Sequence, residues 1–332
     1  MNKKLLKELS AAHGMGGLTG ALEVIERALP AACTVQRQGA SLIATLQGEG
    51  ERTILFDAHA DEIGFVVTGV LDGGFVKVAK AGGIDLRTLP AAEVVVHGKR
   101  DLPGVFATLP PHLKKGEDNL PDLADMVIDT GVEEVCSLVS PGDRVTFRRR
   151  PAELQNGCLT GKSLDDRAGC AALLHAAALL AEEKLPCTVQ FLFSDQEELG
   201  CLGAQTAAFA LSPDEAVAVD VSFGDGPDLP PEKTGRLFAG PMIGVSPVLS
   251  AAVTRRLRLT AADAGIAYQL EAMGGRTSTN ADVIALSKSG VPCGLCSIPL
   301  RNMHTAAEVV ALSDVEAVGR LLAAYAKGGG IA

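Results

Sequence analysis

The sequence predicts an α/β fold: a sheet covered by helices on both faces, with a separate small β domain inserted into it. Three observations predict this. After Gly161, apolar strand-like runs alternate with helical stretches, the signature of buried strands between helices. Between about Val66 and Arg150 the texture changes to short β-rich runs broken by Gly, Pro and Asp clusters, which suggests a small barrel or sandwich. The 332 residues are 47% apolar and 21% charged, enough for about two domains with sizeable cores.

Taken in order, Leu5, Leu6 and Leu9 stand at helical spacing and predict an amphipathic first helix. Leu18 to Leu29 is apolar on a helical period and stops at Pro30. Ser41–Leu46 and Thr53–Phe56 are strand-like, the second running straight into Asp57-Ala58-His59-Ala60-Asp61-Glu62. In the insert, Phe75–Val78, Glu93–Val96, Met126–Ile128 and Arg144–Phe147 read as strands, with turn signals such as Pro141-Gly142-Asp143 between them. Asp166 to Glu183 reads as an Ala- and Leu-rich helix, and Thr188–Phe193, Ala216–Val221 and Cys293–Ile298 as apolar strands. Asn280 to Lys288 reads as a helix closed by Gly290. The last helix starts at Ser313-Asp314-Val315-Glu316, a capping-box pattern, and ends near Lys327 before a Gly-rich tail expected to fray. The expected organisation is a catalytic domain made of 1–65 and 151–332, with 66–150 as the inserted β domain.

Composition narrows the function. A formal charge of −10 argues against nucleic acid as the main partner, since phosphate backbones need a basic footprint. Trp is absent and Tyr occurs twice, which supplies base-stacking or sugar-binding clefts poorly. The nearest to a long apolar run, Cys170 to Ala181, is 12 residues with His175 inside it, too short to span a bilayer. The start, MNKKLLKELS, lacks the apolar run of a signal peptide, so the cytoplasm is expected. The eight scattered cysteines then read as small core residues.

The residues able to do chemistry gather at the ends of elements. His59 and Asp61 follow a strand; residues i and i+2 share a face, so Asp61 can orient the His59 ring as an outer carboxylate. Asp165-Asp166 opens the long helix, Glu197-Glu198 follows Thr188–Phe193, Asp220 interrupts an apolar run, and His304 follows Ile298. Two His and three carboxylates form a mixed N/O set suited to zinc, cobalt or manganese. A bridging carboxylate would give each of two ions three ligands and an open position, and the Glu197-Glu198 doublet can supply both a ligand and a base. Asp165 is read as a ligand that can also cap the helix, Asp166 as support for the helix start. His13, His97, His112 and His175 lack carboxylate neighbours in sequence and read as structural or solvated, and Cys293-x-x-Cys296 as core.

Ala-His-Ala-Asp-Glu-Ile-Gly-Phe (58–65), Gly-Lys-Ser-Leu-Asp-Asp-Arg-Ala-Gly (161–169), Gln-Glu-Glu-Leu-Gly (196–200), Val-Asp-Val (219–221) and Ile-Pro-Leu-Arg-Asn-Met-His-Thr (298–305) resemble, in this order, the motifs of the dinuclear-metal aminopeptidases that include glutamyl, deblocking and tetrahedral aminopeptidases. Weaker matches at 109–113, 125–131, 140–143 and 240–243 extend the likeness over most of the chain. The resemblance implies an α/β catalytic domain with a mixed sheet and helices on both faces, plus an inserted β-barrel-like domain for subunit contacts. It implies His59 and Asp220 on one metal, Glu198 and His304 on the other, Asp165 bridging, Glu197 as general base and acid, and Asp61 as partner of His59. Two divalent ions per subunit, zinc or cobalt or else manganese, are implied, as are peptide substrates and a homo-oligomer, dimer or dodecamer. The family commonly has Gly-Thr-Asp-Ala where this chain has Ser278-Thr279-Asn280-Ala281, so the hydrogen bonding there is expected to differ.

The expected activity is therefore removal of N-terminal residues from peptides by a two-metal-activated water. Rival readings are a two-metal deacylase acting on N-acyl amino acids, and an assembly protein that kept the fold without catalysis. The side-chain preference is not legible in the sequence; Arg276, Arg301 or another basic residue could favour acidic N-termini.

Overall fold

The computed structural model describes residues 2–110, 112 and 122–331. Pro111 and Leu113, within the weak 109–113 match, lie outside them; His112 is exposed. The chain opens with helices α1 (Lys3–Ala11) and α2 (Gly20–Ala28), then strands β1 (Thr34–Gln38), β2 (Ser41–Leu46) and β3 (Thr53–His59). The strand expected to stop at Phe56 thus continues to His59 and carries that side chain on its last residue.

Strands β4 (Gly64–Val70), β5 (Phe75–Ala81), β6 (Glu93–His97), β7 (Asp101–Phe106), β8 (Ile128–Asp129) and β9 (Arg144–Phe147) follow. They close into a barrel in the order β4-β5-β8-β7-β6-β9. Its core is apolar, with the Phe65 ring packed at a steep angle against Phe106 and edge-on to Phe147, at centroid distances of 5.0 and 5.6 Å.

The remainder runs β10 (Ala152–Glu153), β11 (Cys158–Gly161), α3 (Leu164–Leu180), β12 (Thr188–Ser194), α4 (Leu202–Leu211), β13 (Glu215–Phe223), β14 (Met242–Val245), α5 (Ala251–Asp263), β15 (Gln269–Ala272), α6 (Ala281–Ile284), β16 (Cys293–Arg301), β17 (Glu308–Ala311) and α7 (Leu312–Lys327). The sheet order is β1-β2-β12-β3-β13-β16-β17-β11-β10, with β14 beside β16 and β15 beside β14. Its centre is parallel, β12 and β13 both flanking β3; β1–β2 and β16–β17–β11–β10 are antiparallel, and β15 joins β14 in parallel. The alternation of side chains along β3 shows both faces covered. Ile54, Phe56 and Ala58 pack with residues of α1, α2, α3, α5 and α7, whereas Leu55 packs with α4 and α6. The fold class is the expected one.

Three local expectations are corrected. The Ser313–Glu316 pattern does not cap α7: no side chain caps that helix, and the Asp314 carboxylate instead accepts hydrogen bonds from the amides of Phe238 (2.7 Å) and Gly240 (3.0 Å). The helix at 280–288 reduces to Ala281–Ile284. The Gly-rich tail is docked, because the Ile331 amide donates to the buried Glu215 carboxylate at 3.0 Å, which also accepts from the Tyr325 hydroxyl.

Candidate active site

The acidic and imidazole side chains meet beyond the carboxyl ends of the central parallel strands, where open α/β sheets place their ligands. His59 ends β3, Asp220 lies in β13, Glu197 and Glu198 follow β12, and His304 follows β16. Asp165 stands at the start of α3, where Asp165 and Asp166 depart from helical geometry. Asp166 accepts the Gly169 amide at 2.9 Å, so it supports the helix start and leaves Asp165 to the site. Gly169 is required there: a Cβ would come within 2.3 Å of the Asp166 carboxylate.

All seven residues expected from the sequence come together. His59 Nε2 lies 3.0 Å from Asp165 Oδ1, 3.9 Å from Asp220 and 4.0 Å from Glu197. His304 Nε2 lies 3.2 Å from the other Asp165 oxygen and 3.5 Å from Glu198. His59 Nδ1 is 3.2 Å from Asp61. Asp61 does more than the sequence suggested, because its two oxygens also accept the Glu197 and Glu198 amides at 3.0 and 3.2 Å.

The donor set fits a pair of divalent cations. Ligand atoms of His59, Asp165 and Asp220 lie within 4.8 Å of one another, as do those of Asp165, Glu198 and His304, and the two triads share Asp165. A third such group is His59, Glu197 and Glu198. Without a cation the crowding is costly. Burial, reinforced by the Asp165 charge, pushes the Glu198 carboxyl up to about 8. Burial and the Asp166 charge hold Asp220 well above the carboxylate range. Asp165 goes the other way: burial opposes its charge, but hydrogen bonds to His304 and His59 outweigh that and hold its pKa low. His304 is raised to about 9, chiefly by its bond to Asp165.

Sequence reasoning missed a supporting shell. Buried Glu308 accepts the Asp165 amide (3.1 Å) and the His304 amide (2.9 Å), tying the shared ligand to the last one. Buried Glu62 accepts from the Gly14 amide (2.8 Å), Lys162 Nζ (2.6 Å) and Ser163 Oγ (2.6 Å), with Arg167 at 3.9 Å. Asn280 donates to Asp57 (2.8 Å) and Ser194 (2.9 Å) beneath His59. An acid beside a ligand motif was the available signal for Glu62; for Glu308, within Glu-Val-Val-Ala, there was none. The barrel also touches the centre, since a Cβ on Gly83 would come 2.8 Å from His304 Nδ1.

The residues set aside in the sequence stay outside the centre. His97 bonds Asp101 (2.8 Å) and Thr146 (2.9 Å), and Thr146 bonds His13 (2.7 Å). Burial draws the His13 pKa down to about 4. Cys293 and Cys296 are buried in β16. Arg301 is engaged by Asp225 at 2.7 Å, whereas Arg276 lines the cavity beside the centre.

The comparisons with known proteins point to aminopeptidases. A protein of Acetivibrio thermocellus named as an aminopeptidase is 34% identical over 289 residues, 85% of this chain and 84% of its own. An aminopeptidase structure from the archaeon Desulfurococcus kamchatkensis matches with a TM-score of 0.91 and 32% identity, over 98% of this chain and 94% of that one. The TET1 peptidase of Pyrococcus horikoshii, described as assembling into a tetrahedron or a large octahedral shell, matches with a TM-score of 0.87 and 33% identity, over 97% and 98%. The family model for M42 glutamyl aminopeptidase matches residues 40–321. That span holds every residue of the centre, and the chain belongs to this family of peptide-bond hydrolases.

Proposed function

We propose that this chain is a two-metal aminopeptidase that removes residues from the free N-termini of peptides. The observation that supports it most is the pair of ligand triads sharing Asp165, flanked by a glutamate that belongs to neither. His59, Asp165 and Asp220 would hold one ion, and Asp165, Glu198 and His304 the other. Zinc, cobalt or manganese bound there would supply Lewis acidity toward water and the scissile carbonyl.

Glu197 moves the proton. It takes one from the attacking water as the carbon–oxygen bond forms, and returns it to the leaving nitrogen as the carbon–nitrogen bond breaks. Burial raises its pKa, so the carboxyl can hold the proton between the two events. Asp61 acts as a positioning residue, fixing the His59 ring and the backbone of both glutamates.

The reading extends to a homo-oligomer, dimer or dodecamer, with the 66–150 barrel making subunit contacts between copies of the 1–65 and 151–332 unit. It extends also to the cytoplasm, supported by eight free cysteines, which suit a reducing compartment. Among the described residues no helix is long and apolar enough to cross a membrane.

The test is hydrolysis of aminoacyl substrates and their N-acetylated counterparts, after chelation and after return of zinc or cobalt. Metal-restored cleavage confined to free amino termini is expected; cleavage of the acylated set alone would make the chain a deacylase. The Glu197→Gln variant should keep its bound metal and lose turnover by about 10²-fold or more. Turnover retained in that variant would remove Glu197 from the role.

A further inference from the structure

We propose that the cavity beside the metal centre selects peptides whose first side chain is cationic, lysine or arginine, and that Glu271 reads that charge. The inference rests on the aminopeptidase reading above and names its substrate class.

The cavity is about 870 Å³, and Asp165, Glu197, Glu198 and Asp220 form one end of it. Its far wall is built from the sheet. Asp220 on β13 lies opposite Ser297 on β16. Ser222, two residues beyond Asp220, shares its face. Ser297 also lies opposite Met242 on β14, and β14 pairs with β15, which carries Glu271. The hydroxyls of Ser222 and Ser297 both donate to the Glu271 carboxylate, the latter at 2.7 Å. Two neighbouring strands therefore clamp a carboxylate in the wall of the cavity that Asp220 also lines. Adjacent strands are only about 4.8 Å apart.

The other charges on the wall do not offset it. Asp282 is committed to the Thr277 and Ser278 amides at 2.9 and 3.0 Å. Lys233 and Arg276 line the cavity but are exposed, on long stems that can swing into solvent. Glu271 is half-buried and held at both oxygens. Met242, Met273 and Leu295 line the approach, which suits the methylene stem of lysine or arginine with the charged head beyond it. A leucine side chain would desolvate Glu271 without pairing it, and a glutamate would meet it as a like charge, so both are disfavoured.

The experiment measures kcat/KM for lysyl, arginyl, leucyl and glutamyl p-nitroanilides on the metal-loaded enzyme and on its Glu271→Gln and Glu271→Lys variants. Calorimetry of lysinamide and leucinamide on the Glu197→Gln protein supplies a readout independent of turnover. Lysyl and arginyl substrates should lead leucyl by ten-fold or more. The lysyl-to-leucyl ratio should fall at least ten-fold in Glu271→Gln, and the order should move toward glutamyl in Glu271→Lys. Lysinamide should bind more tightly than leucinamide, and lose that advantage when Glu271→Gln is added. A wild-type preference for leucyl or glutamyl, or a lysyl preference that survives Glu271→Gln, overturns the assignment while leaving the aminopeptidase reading intact. Failure to cleave any of the four overturns both.

Discussion

Glu62 shows how a single side chain holds the site without touching substrate. It is fully buried among Lys162, Ser163, Arg167 and the Gly14 amide. Burial alone would raise its pKa, but the two cations outweigh that and hold it at about 2. A carboxyl depressed from an ordinary 4.5 to about 2 stabilises the fold above pH 4.5. That contribution, at most about 3 kcal/mol, is lost as pH falls from 4.5 toward 2. Lys162 limits the net gain, because burial pulls its own pKa down. Glu62→Gln leaves two buried cations without their anion and should cost about 3–5 kcal/mol. The check is thermal unfolding at pH 7 and again near pH 3, where the penalty relative to wild type should shrink. The seven residues that the structure gathers at the candidate centre could be picked out of the sequence because each sits in a short motif at the end of a strand or helix. Glu62, Lys162 and Glu308 were not legible as a shell, because the partners that tie them to the rest of the site lie 48 to 143 residues away and only the fold brings them together.

At the scale of elements, the sequence was most readable where burial imposes a mostly apolar run, as in β2, β12 and β16. It was least readable in β7 and β15. Asp101–Phe106 contains Pro103 and Gly104, which argue against a strand. It forms one because β8 pairs only with Val105 and Phe106, leaving Pro103 paired on the β6 side alone. In β15 exposed residues alternate with half-buried ones, so no apolar signal survives. The Ser313–Glu316 pattern was misread for a different reason: Ser-x-x-Glu suits a helix start, but α7 already begins at Leu312 and tertiary contact claims Asp314. Asp314→Ala should therefore cost about 1–2 kcal/mol without loss of helix. Far-ultraviolet circular dichroism should stay unchanged while proteolysis near Phe238 accelerates.

At the scale of the molecule, the insertion of a barrel into an α/β unit was legible because turn spacing changes abruptly near residues 66 and 150. The sheet's antiparallel margins were not, since strand direction follows from connections rather than from any local pattern. Asp165 stands at the head of α3, and that helix is buried along nearly its full length, against the sheet and against α7. Asp165, the proposed shared ligand, is thus at an end of the molecule's central rod. Amides in the middle of such a helix exchange their hydrogens with solvent only when the whole domain opens. Ion binding to the folded form alone adds about 2.7 kcal/mol at a hundred-fold excess over Kd. Chelation should therefore speed deuterium uptake in the middle of α3 by about 100-fold, even though the metal ligands lie at or beyond its first turn. The slowest protons of the core would serve as a gauge of whether the centre is filled.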